Sequence, residues 1–333
     1  MLPAAYAALH SHPEVPDDAK ASLRSQFDEH GRRALRFTAE LIGILRAFES
    51  SGIEVLSHKG PGLAKVLFED VAMRQFGDLD LLVRAPDVSR ARIALLELGY
   101  RPKLRLSKRQ ETAYLRAGYE YAFTCAAGAN LVELQWQITP SFYSIAFDMD
   151  SLFSRSVETD WEGQRIPVLS NEDLLMVLCV HAAKHEWSQI GMIRDIARLA
   201  SFAVDWGWIS RESGKLNIQR ILMISLLLAR NLLGSELPST LKSNRETAVC
   251  EKLACTLALK VAAGKQTNIE STSYFRSMMR VRERWRDRVR LAWRLAVTPN
   301  VGEWKSIEIP DALFSLYRGV RAVRLIRRLS HQR

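Results

Sequence analysis

The stretch of sequence that decides the fold is Arg74-Gln75-Phe76-Gly77-Asp78-Leu79-Asp80-Leu81-Leu82-Val83. Its second half alternates acidic and apolar side chains before a short apolar run, which predicts a β-strand over Asp78 to Val83. Because successive strand side chains point to opposite faces, Asp78 and Asp80 project to one side and the leucines next to them enter the core. Two carboxylates that face one cleft repel each other, and a divalent cation relieves that repulsion.

A second alternating stretch, Leu131 to Ile138, supplies a third carboxylate. It has Glu133 and two glutamines on one face, so Glu133 reaches the aspartate pair if the two strands are neighbours. An isolated Asp-x-Asp most often lies in a solvated turn or caps a helix. An isolated glutamate on a strand is often a charge that prevents the edge of the sheet from pairing with another chain. Together the three acids favour a catalytic site at Asp78, Asp80 and Glu133 that holds Mg²⁺ or Mn²⁺, the ions that suit all-oxygen ligation.

A glycine-rich loop, His58-Lys59-Gly60-Pro61-Gly62, precedes a helix predicted over about Leu63 to Glu69. Lys59 can bind a triphosphate as a point charge, Gly60 lets the backbone approach closely, and the start of the helix offers free N–H groups. With Arg74 to offset more phosphate charge and Gly77 leading into the acidic strand, we predict nucleotide-binding residues at Lys59, Gly60, Arg74 and Gly77. Many Gly-Pro-Gly turns bind nothing, so this loop is a weak signal alone.

Hydrophobic periodicity divides the chain into two halves. The elements predicted for the first half are helix Gln26–Ser50, strand Ile53–Ser57, helix Leu63–Glu69, strand Asp78–Val83, helix Asp87–Leu98, and strands Tyr119–Cys125 and Asn130–Ile138 joined by residues 126–129. After a last strand, Arg165–Leu169, the pattern is helical to the end. We therefore predict an α/β domain over residues 26–169 and a helical domain with a basic tail over residues 170–333.

Composition is that of an ordinary globular protein, with 47% hydrophobic and 25% charged residues among 333. The four cysteines are scattered, which argues against a zinc ribbon or a disulfide scaffold. The N-terminus lacks the pattern of a secretory signal, and the most apolar run, Ile221 to Ala229, is shorter than the roughly 20 residues that span a bilayer. The expectation is a cytoplasmic protein without a transmembrane segment, at most peripheral to a membrane.

The net charge of +10 is concentrated at the C-terminal end. From Met279 to Arg333 there are fourteen Lys or Arg and five Asp or Glu, an excess of nine. A helix over about Arg280 to Arg294, which also carries Trp285 and Trp293, would suit RNA phosphates, an acidic membrane surface or an acidic partner. Equally, the helix would be a surface helix with one solvated face, and the aliphatic stems of its arginines would cover the protein core.

Two histidines, His181 and His185, stand four residues apart on a predicted helix, and Asp195 lies on the next one. This spacing permits shared metal ligation. A structural role is favoured, because the glutamate that a metalloprotease needs between its histidines is absent.

Several short runs together resemble the uncharacterised bacterial nucleotidyltransferase family of the DNA-polymerase-β-like superfamily. These runs are Lys59-Gly60, Leu63-Ala64, Arg74, Gly77 to Val83, Glu133-Leu134-Gln135-Trp136, and the later His181-Ala182-Ala183-Lys184-His185 with Arg194 to Leu199. Two positions depart from the family pattern: Lys59-Gly60 replaces the usual Gly-Ser, and Gln135 stands where a histidine is frequent.

The resemblance implies an α+β fold, a nucleotidyltransferase-type mixed sheet with flanking helices followed by a mainly helical C-terminal half. It also implies transfer of a nucleotidyl group from an NTP, with ATP expected, to an unknown acceptor with release of pyrophosphate, and a setting in polysaccharide biosynthesis. A non-catalytic nucleotide- or RNA-binding module on the same fold is the alternative, and a toxin-like enzyme that modifies RNA or protein is a third hypothesis.

Overall fold

The structure is a computed structural model. It describes residues 2–125, 130–239, 245–264, 271–299, 301–307 and 309–330. The helices are α1 Leu2–Leu9, α2 Asp17–Ser50, α3 Gly60–Phe68, α4 Val88–Glu97, α5 Lys108–Ala117, α6 Met149–Ser154, α7 Asn171–Lys184, α8 Ile190–Ala200, α9 Trp206–Leu216, α10 Gln219–Leu233, α11 Arg245–Ala262, α12 Thr272–Val281, α13 Trp285–Val297, α14 Val301–Ser306 and α15 Tyr317–Ser330. The strands are β1 Val55–Ser57, β2 Asp78–Val83, β3 Tyr100–Pro102, β4 Glu120–Cys125, β5 Leu131–Gln135, β6 Val157–Trp161 and β7 Gln164–Val168.

These elements form two compact units. The first comprises Met1–Leu104, Glu120–Gln137 and Asp148–Leu174, and the second comprises Arg105–Tyr119, Ile138–Phe147 and Leu175–Arg333. The domain boundary between residues 169 and 170 stays a prediction. The predicted α+β class, a mixed sheet with flanking helices followed by a mainly helical half, is confirmed.

A five-stranded sheet in the order β1-β2-β5-β4-β3 forms the centre of the first unit. Strand β2 runs antiparallel to β1 and parallel to β5, and β4 runs antiparallel to both β5 and β3. The inner residues of β2 are buried, as expected of a strand between two neighbours. The predicted strand over Asp78 to Val83 is therefore found with the same bounds.

The long helix α2 buries an apolar stripe that includes Phe37, Leu41 and Phe48, and it contacts α3, α4 and β7. It begins at Asp17, nine residues before the predicted start at Gln26. The prediction was wrong because the first turns carry no apolar stripe. Two acids, Asp17 and Asp18, nevertheless favour the positive end of the helix dipole.

Other differences come from elements without a clear hydrophobic period. Strand β3 and helix α5 were not predicted, and strand β6 makes a hairpin with the predicted β7. The helix predicted over about Arg280 to Arg294 is instead divided between α12 and α13, which are separated where Arg282 and Arg284 have an extended backbone. The joint over residues 126–129 lies outside the described residues.

The second unit is built around α10, which is buried along most of its length and packs on α8, α9 and α11. Its Ser225 hydroxyl accepts the indole N–H of Trp187 at 2.8 Å. Near the C-terminal end, buried Glu303 pairs with Arg321 at 3.1 Å and with Arg324 at 3.2 Å. Within the part of the chain that the structure describes, every helix is too short or too polar to cross a membrane.

Candidate active site

The predicted acids lie together on one face of the central sheet. Strands β2 and β5 are parallel neighbours, and their register sets Asp80 directly opposite Glu133. Asp78 lies two residues before Asp80 on the same strand, so it projects to the same face. The neighbour relation that the sequence left as an assumption is therefore present.

Asp80 is the most deeply buried of these acids, with 1% of its surface exposed. Its Oδ1 atom forms an ion pair with the ammonium group of Lys59 and accepts a hydrogen bond from the Gln135 side-chain amide at 2.9 Å. The same amide donates to Glu133 at 3.1 Å, so Gln135 joins the two carboxylates. The Oδ2 atom of Asp80 is buried and has no hydrogen-bond partner among the residues that the structure describes.

Lys59 reaches Asp80 because α3 begins directly after it. The helix starts at Gly60 rather than at the predicted Leu63, with Pro61 in the first turn, where its missing N–H costs nothing. Two glycines allow this start. A Cβ atom on Gly62 would lie 2.6 Å from Ser57 Oγ, and one on Gly60, whose φ is +60°, would lie 3.0 Å from the Asp78 carbonyl oxygen.

The acids shift one another's pKa values. Burial and the neighbouring charge of Asp80 raise the pKa of Asp78. Burial, Asp80 and Glu120 raise the pKa of Glu133 to about 8. Burial alone would raise the pKa of Asp80, but Lys59 and His58 outweigh it and hold that pKa below its usual value. Lys59 therefore neutralises Asp80, whereas Asp78 and Glu133 are harder to ionise because their charged forms would repel the neighbouring carboxylates.

Lys59 shows the same balance from the basic side. Burial would lower its pKa, but the attraction of Asp80, followed by that of Glu133 and Asp78, raises it above the ordinary value. The ammonium is therefore charged at neutral pH and bound to an acid that also faces other acids.

The donor set suits a divalent cation with oxygen ligands. The described residues supply no hydrogen-bond partner for one carboxylate oxygen of Asp80, and beside it lie Asp78 and Glu133, whose raised pKa values mean that their charged forms are disfavoured until a cation is bound. As the side chains stand, with Lys59 on Asp80, no three acidic, histidine or cysteine side chains among the described residues are close enough to hold an ion. The residue types suit such an ion, but the described side chains as they stand are not gathered closely enough to hold one.

Arg74 and Gly77, the other predicted nucleotide-binding residues, flank the acidic strand. An Arg74 guanidinium N–H donates to the Gly60 carbonyl at 3.5 Å, and the Arg74 carbonyl lies 3.2 Å from the His30 ring. Open space surrounds the position that a Cβ on Gly77 would take. Arg74 is thus held beside the start of α3, whereas crowding does not explain Gly77.

Two residues of this site were missed by the sequence reasoning. His58 is buried and lowers the pKa of Asp80 through its charge. Glu120 lies on β4 opposite Gln135 and contributes to the raised pKa of Glu133. Alternation along Tyr119 to Cys125 predicts only that Glu120 shares a face with Ala122 and Thr124, and no local pattern says which strand lies beside that face.

The histidine pair belongs to the second unit. His181 and His185 lie one turn apart on and just after α7, with ring centroids 4.8 Å apart. Among the described residues they belong to no group of three that could hold a metal ion. The structural role favoured from the sequence for these histidines stays a prediction.

A mixed sheet that gathers carboxylates on one face is the framework expected of a nucleotidyltransferase. A profile of the family described as uncharacterised nucleotidyltransferase matches residues 1–234, which is more than half of the chain. The protein therefore belongs to this family and is a nucleotidyltransferase. The resemblance seen in the sequence is confirmed over those residues.

One solved structure, that of the lincosamide antibiotic adenylyltransferase LnuA with bound lincomycin, is similar to part of this chain. It shares 17% identity, with 50% of this chain and 97% of that chain covered and a TM-score of 0.36. At this level of similarity nothing about activity follows. No curated protein matches the chain.

Proposed function

We propose that the protein transfers a nucleotidyl group from an NTP, with ATP as the expected donor, to an acceptor hydroxyl or phosphate. The reaction would depend on Mg²⁺ or Mn²⁺ and release pyrophosphate. The observation that carries the proposal is the pairing of Asp80 with Glu133 across neighbouring strands, with one buried Asp80 oxygen to which no described residue donates a hydrogen bond.

Asp78 and Asp80 would hold the ions, and Glu133 would complete the ligand set on the side of the nucleophile. When bound, the ions would supply Lewis-acid activation of the triphosphate and of the acceptor. Gln135 would keep Asp80 and Glu133 aligned through its two hydrogen bonds.

Lys59 would have two tasks. In the metal-free protein it neutralises Asp80, which makes the burial of that carboxylate tolerable. When a triphosphate enters, the ammonium would bind phosphate oxygens instead, with Arg74 as the second cation. Lys59-Gly60 stands where the family pattern has Gly-Ser, so these phosphate contacts differ from those that the resemblance implies.

A non-catalytic nucleotide- or RNA-binding module is the second candidate, because Lys59 pairs with Asp80 and so competes with a metal ion for that carboxylate. We further propose that the enzyme is cytoplasmic and acts in polysaccharide biosynthesis. Its basic tail would bind RNA or an acidic membrane surface.

The test uses NTPs labelled at either the α- or the γ-phosphate, with purified protein, Mg²⁺ and a cell extract as the source of acceptor. Nucleotidyl transfer puts the α-label into an acceptor and the γ-label into pyrophosphate. Transfer of the γ-label to an acceptor would show a kinase instead, and saturable NTP binding without labelled product would show the binding module.

Two variants make the result specific to the acid cluster. Asp78→Asn removes one proposed ligand and should abolish labelling, whereas Glu97→Gln removes an exposed carboxylate at the end of α4 and should leave labelling unchanged. Chelation by EDTA should stop the reaction, and added Mg²⁺ should restore it. Full labelling by Asp78→Asn would refute the proposed site.

A further inference from the structure

The outward face of α13 carries an apolar stripe in contact with solvent. Trp285, Val289 and Trp293 follow one another at four-residue intervals, which places them on one side of the helix. Their exposed fractions are 67%, 56% and 67%. The opposite side holds Leu291, which is buried and faces the rest of the second unit.

This stripe is unusual for a soluble helix. Tryptophan is normally well buried, and scattered single exposed apolar residues need no explanation, but three in a row form a patch. Along the helix axis the stripe extends for roughly 12 Å, since eight residues rise by about 1.5 Å each. Exposed apolar patches of this kind mark sites of interaction with another protein or with a membrane.

Arginines run beside the stripe. Arg286 and Arg290 each follow a stripe residue by one position and are exposed. The Arg286 guanidinium lies 5.8 Å from the centre of the Trp285 ring. Helix α13 contains one acid, Asp287, whose carboxylate lies 3.6 Å from the Arg290 guanidinium. Because Asp287 is buried, the charged side chains that face solvent on this helix are arginines.

We propose that the α13 stripe docks the protein on the surface of an anionic phospholipid bilayer. The tryptophan rings would enter the headgroup region, where an apolar body with a polar N–H is well placed. The arginines would bind lipid phosphates and carboxylates at the same depth. RNA is the less suitable occupant, because Val289 at the centre of the stripe has no ring on which a base could stack.

The experiment is vesicle co-sedimentation with the full-length protein. Vesicles of phosphatidylcholine with about one-third phosphatidylserine should bind the protein, and pure phosphatidylcholine vesicles should bind it far less. The double variant Trp285→Ala/Trp293→Ala should weaken binding by about tenfold or more. The double variant Arg286→Gln/Arg290→Gln should weaken it by roughly tenfold and reduce its sensitivity to salt.

The matched control is Leu259→Ala, which removes an exposed apolar side chain from α11 and should leave vesicle binding unchanged. Far-UV circular dichroism should be the same for all variants, since the altered side chains are exposed. A parallel titration with single-stranded RNA separates the other occupant. Failure of the wild-type protein to bind anionic vesicles, equal binding by the tryptophan variant, or tryptophan-dependent binding of RNA alone would each overturn the proposal.

Discussion

Asp80 and Asp173 are two aspartates of the same compact unit, each 1% exposed and each beside a basic side chain. Asp173 lies in the first turn of α7, where Arg155 donates to both of its oxygens at 2.8 and 2.9 Å and the Ser170 hydroxyl donates at 2.9 Å. Asp80 lies in the middle of the sheet, where Lys59 and Gln135 share one oxygen and the other has no hydrogen bond.

The difference separates a structural carboxylate from a functional candidate. At Asp173 the chain supplies a bidentate cation and a hydroxyl, so the charge is satisfied internally. At Asp80 the chain adds three further acids, Asp78, Glu120 and Glu133, and leaves an oxygen without a donor. An under-compensated acid cluster costs stability, and such costs are most often kept where a ligand offsets them.

The largest expected effect is on activity at Asp80. Asp80→Asn keeps the size of the side chain but removes a proposed ligand, so transfer should fall by about a thousandfold or more. Asp173→Asn should leave the activity of each folded molecule within about threefold of wild type, as expected for a residue outside the site. Steady-state kinetics on both variants decides the comparison. Equal losses of activity in the two variants would mean that Asp80 has no special role in catalysis compared with Asp173.

The second effect concerns Lys59. Lys59→Met removes the cation that neutralises Asp80, so activity should fall by about a hundredfold if the ammonium also binds the triphosphate. The metal-free variant should melt at a lower temperature, and Mg²⁺ should raise its melting temperature more than it raises that of wild type. Thermal unfolding with and without Mg²⁺ measures this. Unchanged activity would confine Lys59 to a structural role.

The third effect concerns stability at Asp173. Asp173→Asn breaks the paired contact with Arg155 and should lower the free energy of unfolding by about 2 kcal/mol, a value held down because Arg155 can reach water. Urea unfolding in the absence of metal measures it. A loss at Asp80→Asn larger than this would mean that Asp80, rather than Asp173, is the structural carboxylate.

The smallest effect is a dependence on pH. Burial and neighbouring acids raise the pKa of Glu133 to about 8, so folded protein keeps a proton that unfolded chain loses near its ordinary value. Metal-free stability should therefore fall by a few degrees of melting temperature as the pH rises from about 5 to about 8. Because a metal displaces that proton, affinity for Mg²⁺ should rise over the same range.

Glu133→Gln cannot ionise and should flatten most of this slope in thermal unfolding with EDTA. A small residue of the slope should persist, since the pKa of Asp78 is also raised. An unchanged slope in the variant would assign the titration to another group.

Much of the site was predictable because its parts are local. The acidic strand has the predicted bounds, Asp78 to Val83. Alternation along the second strand also predicted that Glu133 shares a face with Gln135, and both side chains lie on the face that Asp80 occupies. The Lys59 contact was not predictable, since it depends on α3 starting at Gly60, and that start depends on how closely Gly62 packs against Ser57. Glu120 was missed because its strand was predicted without a neighbour.

By itself the sequence determined which side chains share a strand face and where charge accumulates, because alternation of period two and composition are properties of neighbours in the chain. Only the tertiary structure decided that Asp80 lies opposite Glu133 and receives a hydrogen bond from Gln135, 55 residues away. Strand order and register come from the packing of many distant side chains at once, and no local pattern encodes them.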